Sequence, residues 1–114
     1  MRDFEVYEDG AGQLHFFIFT DRGDIEYAMI YLDPQDLRRD LAALREYGTA
    51  EDWAGMDMWD CPSTPVTPEE HYDIIRRDCL LVADQHGVYL GRADIAAKDA
   101  LSGFCTIGPK SLRG

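Results

Sequence analysis

The chain has 114 residues, 46% hydrophobic and 11% aromatic, which is enough for one domain with its own core and too apolar for disorder. Eleven basic against 22 acidic side chains leave a formal charge of −11, which argues against binding nucleic acid or an anionic membrane, since both need basic surface. No apolar run reaches the ~18–20 residues that span a bilayer. Acids in Met1-Arg2-Asp3-Phe4-Glu5 replace the apolar run of a signal peptide, and Cys61, Cys79 and Cys105 do not make a disulfide framework, so a cytoplasmic protein is expected.

Asp3–Glu8 alternates, with Phe4 and Val6 on one side and Glu5 and Tyr7 on the other, and predicts a short strand with one wet face. Asp9-Gly10-Ala11-Gly12 is a turn. Leu14–Thr20 and Ile25–Leu32, rich in Phe, Tyr and Ile, form a hairpin around Asp21-Arg22-Gly23-Asp24, with Gly23 available for a left-handed turn position. Phe16 and Ile18 oppose Phe17 and Phe19; Tyr27, Met29 and Tyr31 oppose Ala28, Ile30 and Leu32. Both faces of this three-stranded meander are therefore apolar, one to be covered by helices and the other by a later segment or a partner chain.

Asp33-Pro34-Gln35-Asp36 starts a helix, since Asp33 can cap it and Pro34 suits its first position. Leu37, Leu41 and Leu44 form its buried stripe and Gly48 stops it, while Arg38, Arg39, Asp40, Arg45 and Glu46 are assigned to solvent. The stretch from Gly55 to Val66 has no period and reads as a long loop. Thr67-Pro68-Glu69-Glu70 caps a second helix, expected to run to about Gln85 and to bury Tyr72, Ile75, Cys79 and Val82. Short elements are expected at Val88–Leu90 (strand), Asp94–Leu101 (helix) and Phe104–Ile107 (strand). The expected architecture is a single α+β domain over 1–107, an antiparallel meander of three to five strands covered by two main helices, with 108–114 as a flexible tail.

Catalytic signatures are lacking. His15, His71, His86 and the three Cys include no pair at the two-to-four spacing that zinc sites favour, so no metal or other cofactor is expected. Cys79 falls on an apolar helix face and Cys61 beside Asp60, both settings that raise a thiol's pKa. There is no Gly-x-Ser-x-Gly, phosphate loop or dinucleotide fingerprint, and the 22 acids supply too many accidental pairs for any one to point to acid–base chemistry. A non-enzyme is expected.

The acids are unevenly placed. Glu46, Glu51, Asp52, Asp57, Asp60, Glu69, Glu70 and Asp73 precede Ile75 with no Lys or Arg among them, and Asp3–Asp21 holds five acids and no base. Within this region Glu51, Asp52, Trp53, Met56, Asp57, Met58, Trp59 and Asp60 interleave large anchors with carboxylates, the mixture a surface for a basic protein partner needs. With Glu69, Glu70 and Asp73 they form the candidate partner-binding set. Trp53 and Trp59 have a second role open to them, as core residues sealing the meander. Carboxylates about 6 Å apart on a helix approach the spacing of backbone phosphates, so a clustered set could imitate nucleic acid.

A short, single-domain, strongly acidic chain without catalytic motifs resembles the small anti-CRISPR and antirestriction inhibitors of phages and mobile elements. That resemblance rests on size and on the acidic runs 3–21 and 46–75, and it implies an inhibitor whose acidic face occludes the basic nucleic-acid site of a defence nuclease or CRISPR effector. Arg38, Arg39, Arg45, Arg76 and Arg77 favour a local acidic patch over mimicry by the whole surface. The alternatives are an acidic regulatory or structural interaction module, homodimeric through the open meander face, and then a small enzyme.

Overall fold

A computed structural model describes residues 3–58 and 67–89. The elements expected at 94–101 and 104–107, the tail at 108–114, and Trp59 and Asp60 lie outside the described residues.

Strands β1 (Phe4–Glu8), β2 (Leu14–Phe19) and β3 (Ile25–Tyr31) form the expected antiparallel meander, and helices α1 (Pro34–Tyr47) and α2 (Pro68–Asp78) complete an α+β fold. Three more strands, β4 (Met56–Asp57), β5 (Leu80–Asp84) and β6 (Gly87–Val88), extend the sheet to the order β4-β3-β2-β1-β5-β6. Among the described residues all neighbours are antiparallel, and the strands at the two ends of that order, β4 and β6, are two residues long.

The turns follow from local chemistry. Asp9 Oδ1 accepts the amides of Ala11 and Gln13, and Gly12 takes a φ of 84° between β1 and β2. In the next hairpin Thr20 Oγ1 accepts the amides of Arg22 and Asp24, while Gly23 holds a φ of 86°. Helix α1 is capped as expected, Asp33 Oδ1 accepting the Gln35 amide, and closes at Gly48, whose amide returns to Leu44 O. At α2, Thr67 Oγ1 accepts the Glu70 amide and donates to Glu70 Oε1.

Alternation along the strands sorts the core into two layers. Phe4, Val6, Phe16, Ile18, Met29 and Tyr31 meet Leu37, Leu41 and Leu44 of α1 on one face. Tyr7, Phe17, Ala28 and Met58 meet Ile75 of α2 on the other, with Phe19, Tyr72 and Leu81 packed against them. Removing each of these large apolar side chains from water is worth about 1.5–3 kcal/mol. The second face is thus covered within the chain by α2 and Met58, the later-segment alternative of the two covers considered for it. The wet face expected for β1 is likewise absent, since Tyr7 is buried beneath α2.

The second helix is shorter than expected. It ends at Asp78, and Leu80–Asp84 is a strand beside β1 rather than helix to Gln85. Leu80 and Val82 point into the α1 layer and Leu81 into the α2 layer, so the run Leu80-Leu81-Val82-Ala83 is buried from both sides, which a strand between two helical layers permits and a one-faced helix does not. Cys79 is accordingly the C-cap of α2, half-buried, and not a mid-helix residue. His86 lies in the β5–β6 turn.

Candidate functional site

The segment that leaves α1 was the expected partner surface, and its residues separate. Glu51 and Asp52 are exposed. Trp53 is half-buried against the α1-side core, its ring centroid 6.2 Å from Phe16 and 5.5 Å from Tyr27. Gly55 follows directly over the Tyr31 ring: a Cβ there would lie 2.6 Å from Tyr31 Cζ, so only glycine allows the approach. Met56 and Asp57 pair with Ile30 and Met29 as the edge strand, Met56 being 51% exposed. Met58, expected at the partner surface, is fully buried in the α2-side core and is withdrawn from it. Between Trp53 and Met58 the chain therefore crosses the sheet edge from one core layer to the other.

The carboxylates follow that path. Glu51 and Asp52 belong to the α1 layer, Asp57 to the edge, and Glu69, Glu70 and Asp73 are exposed on α2, against the opposite face. They are divided between the two faces of the sheet and its β4 end instead of sharing one helix face. The arginines of the helices are partly engaged: Arg39 pairs with Asp36 at 2.8 Å and Arg77 with Asp78 at 2.9 Å. Among the described residues, neither pair involves the candidate set.

On the α1 side, a cleft of about 760 Å³ is lined by Arg39, Asp40, Ala43, Tyr47, Glu51 and Asp52 among others. Asp40, assigned to solvent from sequence, is buried at 2% exposure. Its Oδ2 accepts the Tyr31 hydroxyl and the Ala54 amide, both at 2.7 Å, and so ties α1 to β3 and to the chain approaching the edge strand. Burial, then the hydrogen bond and charge of Asp40, push the Tyr31 phenol far above its ordinary value, while the Gly55 backbone pulls weakly the other way. Asp40 thus acts as a structural anchor beneath the cleft.

Beneath α2 lies a second group of polar side chains that the sequence did not single out. Glu5 Oε1 accepts the hydroxyls of Tyr7 (2.8 Å) and Tyr72 (2.5 Å). Burial first, and then these hydrogen bonds, raise Tyr7 well above the ordinary phenol range; Tyr72 is raised chiefly by burial and by Glu5. Opposite Tyr7 on β2, His15 Nε2 meets Asp9 Oδ2 at 2.8 Å. The Asp9 carboxyl is held below its ordinary value by His15 and by the Gln13 and Ala11 amides, against the opposing effect of its burial. The His71 ring of α2 lies 6.4 Å from that of His15, and burial, then His15, lowers its pKa.

A carboxylate–imidazole pair such as Asp9–His15 can handle protons. Here, however, His15 is only 5% exposed and sits under α2, whereas the cleft is on the α1 side, so proton-handling groups and binding space do not coincide. Among the described residues no group of three or more His, Cys, Asp or Glu could hold a metal ion, and no helix is long and apolar enough to cross a membrane. Comparison of the chain with known protein families, with curated proteins and with solved structures gave no significant match.

Proposed function

We propose that the chain is a non-enzymatic, cytoplasmic binding protein whose acidic surface occludes the basic nucleic-acid-binding site of a larger protein, a defence nuclease or CRISPR effector being the most specific form of the idea. The observation that carries it is the exposure of Glu51, Asp52, Glu69, Glu70 and Asp73, outside the ion pairs that hold Arg39 and Arg77. The charge of −11 supports long-range attraction to a basic groove. At about 0.15 M salt the Debye length is about 8 Å, so these exposed carboxylates act on a partner in local groups.

The test is affinity capture from the native host with three competitors: salt, duplex DNA, and charge-reversed variants. Capture of a basic nucleic-acid-binding protein, released by DNA and lost in Glu51→Lys/Asp52→Lys or in Glu69→Lys/Glu70→Lys, is the expected outcome. Equal capture by all variants, unaffected by DNA, overturns it. The division of the carboxylates between two layers favours a second reading, an interaction module in which charge serves solubility. Salt-insensitive binding of a partner that DNA does not displace would select that reading.

A further inference from the structure

The imidazoles of His15 and His71 come from β2 and α2, elements that touch only through the α2-side core, and their centroids are 6.4 Å apart. Each ring has a buried Nδ1 with no hydrogen-bond partner among the described residues. His15 is anchored from the other side by Asp9, so it cannot turn away without breaking the β1–β2 turn that Asp9 organises. His71 is in the first turn of α2, its amide bonded to Thr67 O, at the end of the helix that disfavours a cation. The other titratable groups around them are Glu5 and Tyr7 from β1, Tyr72 from α2 itself, and the exposed Glu69, Glu70 and Asp73 on its outer side.

We propose that the His15–His71 contact is a pH-sensitive latch: above neutrality it lets α2 seat on the sheet, and acidification charges His71 against His15 and loosens α2 from the core while α1 stays in place. The sign follows from linkage. The His71 pKa is lower in the folded state than in a free chain, so its contribution is fully present above about 6.5, the ordinary histidine value, and is lost as pH falls through the folded value. Asp9 remains ionised across that window, because its own pKa is lowered below the ordinary carboxylate value, and it holds His15 in place as His71 takes up its proton. The outer acids soften the effect without cancelling it, since they face solvent and are screened. Release of α2 would uncover Phe17 and Phe19, against which Tyr72 packs at 5.0 and 5.4 Å.

Amide hydrogen exchange of the full chain at about pH 7.5 and about pH 5, corrected for the intrinsic rate, reads the latch directly. Amides of α2 should lose protection at least about threefold more than those of α1, and His71→Gln should abolish that difference. Equal loss in both helices, or an unchanged difference in His71→Gln, overturns the latch. If His71→Gln does not fold, the imidazole resonances of the wild-type chain decide: His71 must titrate below the ordinary value, and a titration at or above about 6.5 overturns the latch.

Discussion

On one face of the sheet, α1 presses Leu37, Leu41 and Leu44 onto Phe4, Phe16 and Tyr31, and the one carboxylate of that helix taken inside, Asp40, is met by a hydroxyl and an amide. On the other, α2 fully encloses only Ile75 of its own residues and lowers His71 and Tyr72 onto Glu5, Tyr7 and His15. Both layers are closed by helices with capped N-termini and Pro at the first position. They differ in what the helix brings to the interface: from α1 an apolar stripe with the Asp40 carboxylate met by two donors, from α2 ionisable rings in a seam with two unpartnered ring nitrogens among the described residues. Apolar burial is indifferent to pH, whereas a titratable seam ties the seating of its helix to proton activity. The first layer should therefore carry the global stability and the second the local opening.

The largest effect should come from breaking the α1-side anchor. Asp40→Ala takes the shared acceptor from the buried Tyr31 hydroxyl, which keeps only the Met29 sulfur as acceptor, and from the Ala54 amide, and should cost about 2–4 kcal/mol by urea unfolding. Glu5→Ala removes an acceptor from two hydroxyls as well, but Glu5 is only half-buried and water can replace it, so about 1–2 kcal/mol is expected. Equal losses would remove the distinction between the layers.

High pH tests both layers together. Tyr7 and Tyr31 are 3% and 1% exposed, and both phenols are raised by burial and by a carboxylate partner. A group whose folded value is raised stabilises the fold fully below its free-chain value, here about 10, and that stability is lost as pH rises beyond it. Each of these two tyrosines should therefore remove about 1 kcal/mol between pH 10 and 11, read as the shift in urea midpoint. Tyr7→Phe and Tyr31→Phe should each flatten that slope by a similar amount, and Tyr72→Phe, at a less buried ring, by less. A slope left unchanged in Tyr31→Phe would mean that the phenol is neither buried nor held by Asp40.

Much of this was legible before the coordinates. The meander, its two turns, both helix starts and the partition of Phe16 and Ile18 from Phe17 and Phe19 follow from period-two alternation and capping chemistry, which are local. The burial of Asp40 is hidden by its charge: 37, 40, 41 and 44 are one helical stripe, but the partners that make burial tolerable, Tyr31 and Ala54, lie outside the helix. Strand β5 reads as helix in the sequence because Cys79 and Val82 continue the period of α2, and a four-residue apolar run carries no period of its own. The His15–His71 contact joins residues far apart in the chain and has no local signature beyond His71 lying beside Tyr72 on the inner side of α2. The division of the carboxylates between the two sides of the sheet depends on where the chain crosses it, which the buried Met58 and the Gly55–Tyr31 approach fix and composition does not.

The smallest expected effect is the most discriminating. Asp33→Ala and Thr67→Ala each remove one side-chain acceptor from a helix N-terminus, and each should cost its own helix about 1 kcal/mol. Helix α1 runs for 14 residues and is held along its length by three leucines, so it can open only when the whole core opens; Asp33→Ala should lower the global urea midpoint and leave the order of exchange among amides unchanged. Helix α2 has 11 residues and one fully buried side chain, so it has little to resist fraying once the Thr67 hydroxyl is gone. Thr67→Ala should speed exchange in the first turns of α2 by about fivefold, with a smaller change in the global midpoint than Asp33→Ala produces. If the two variants behave alike, α2 unfolds only with the rest of the molecule, and the division into a rigid and a releasable layer fails.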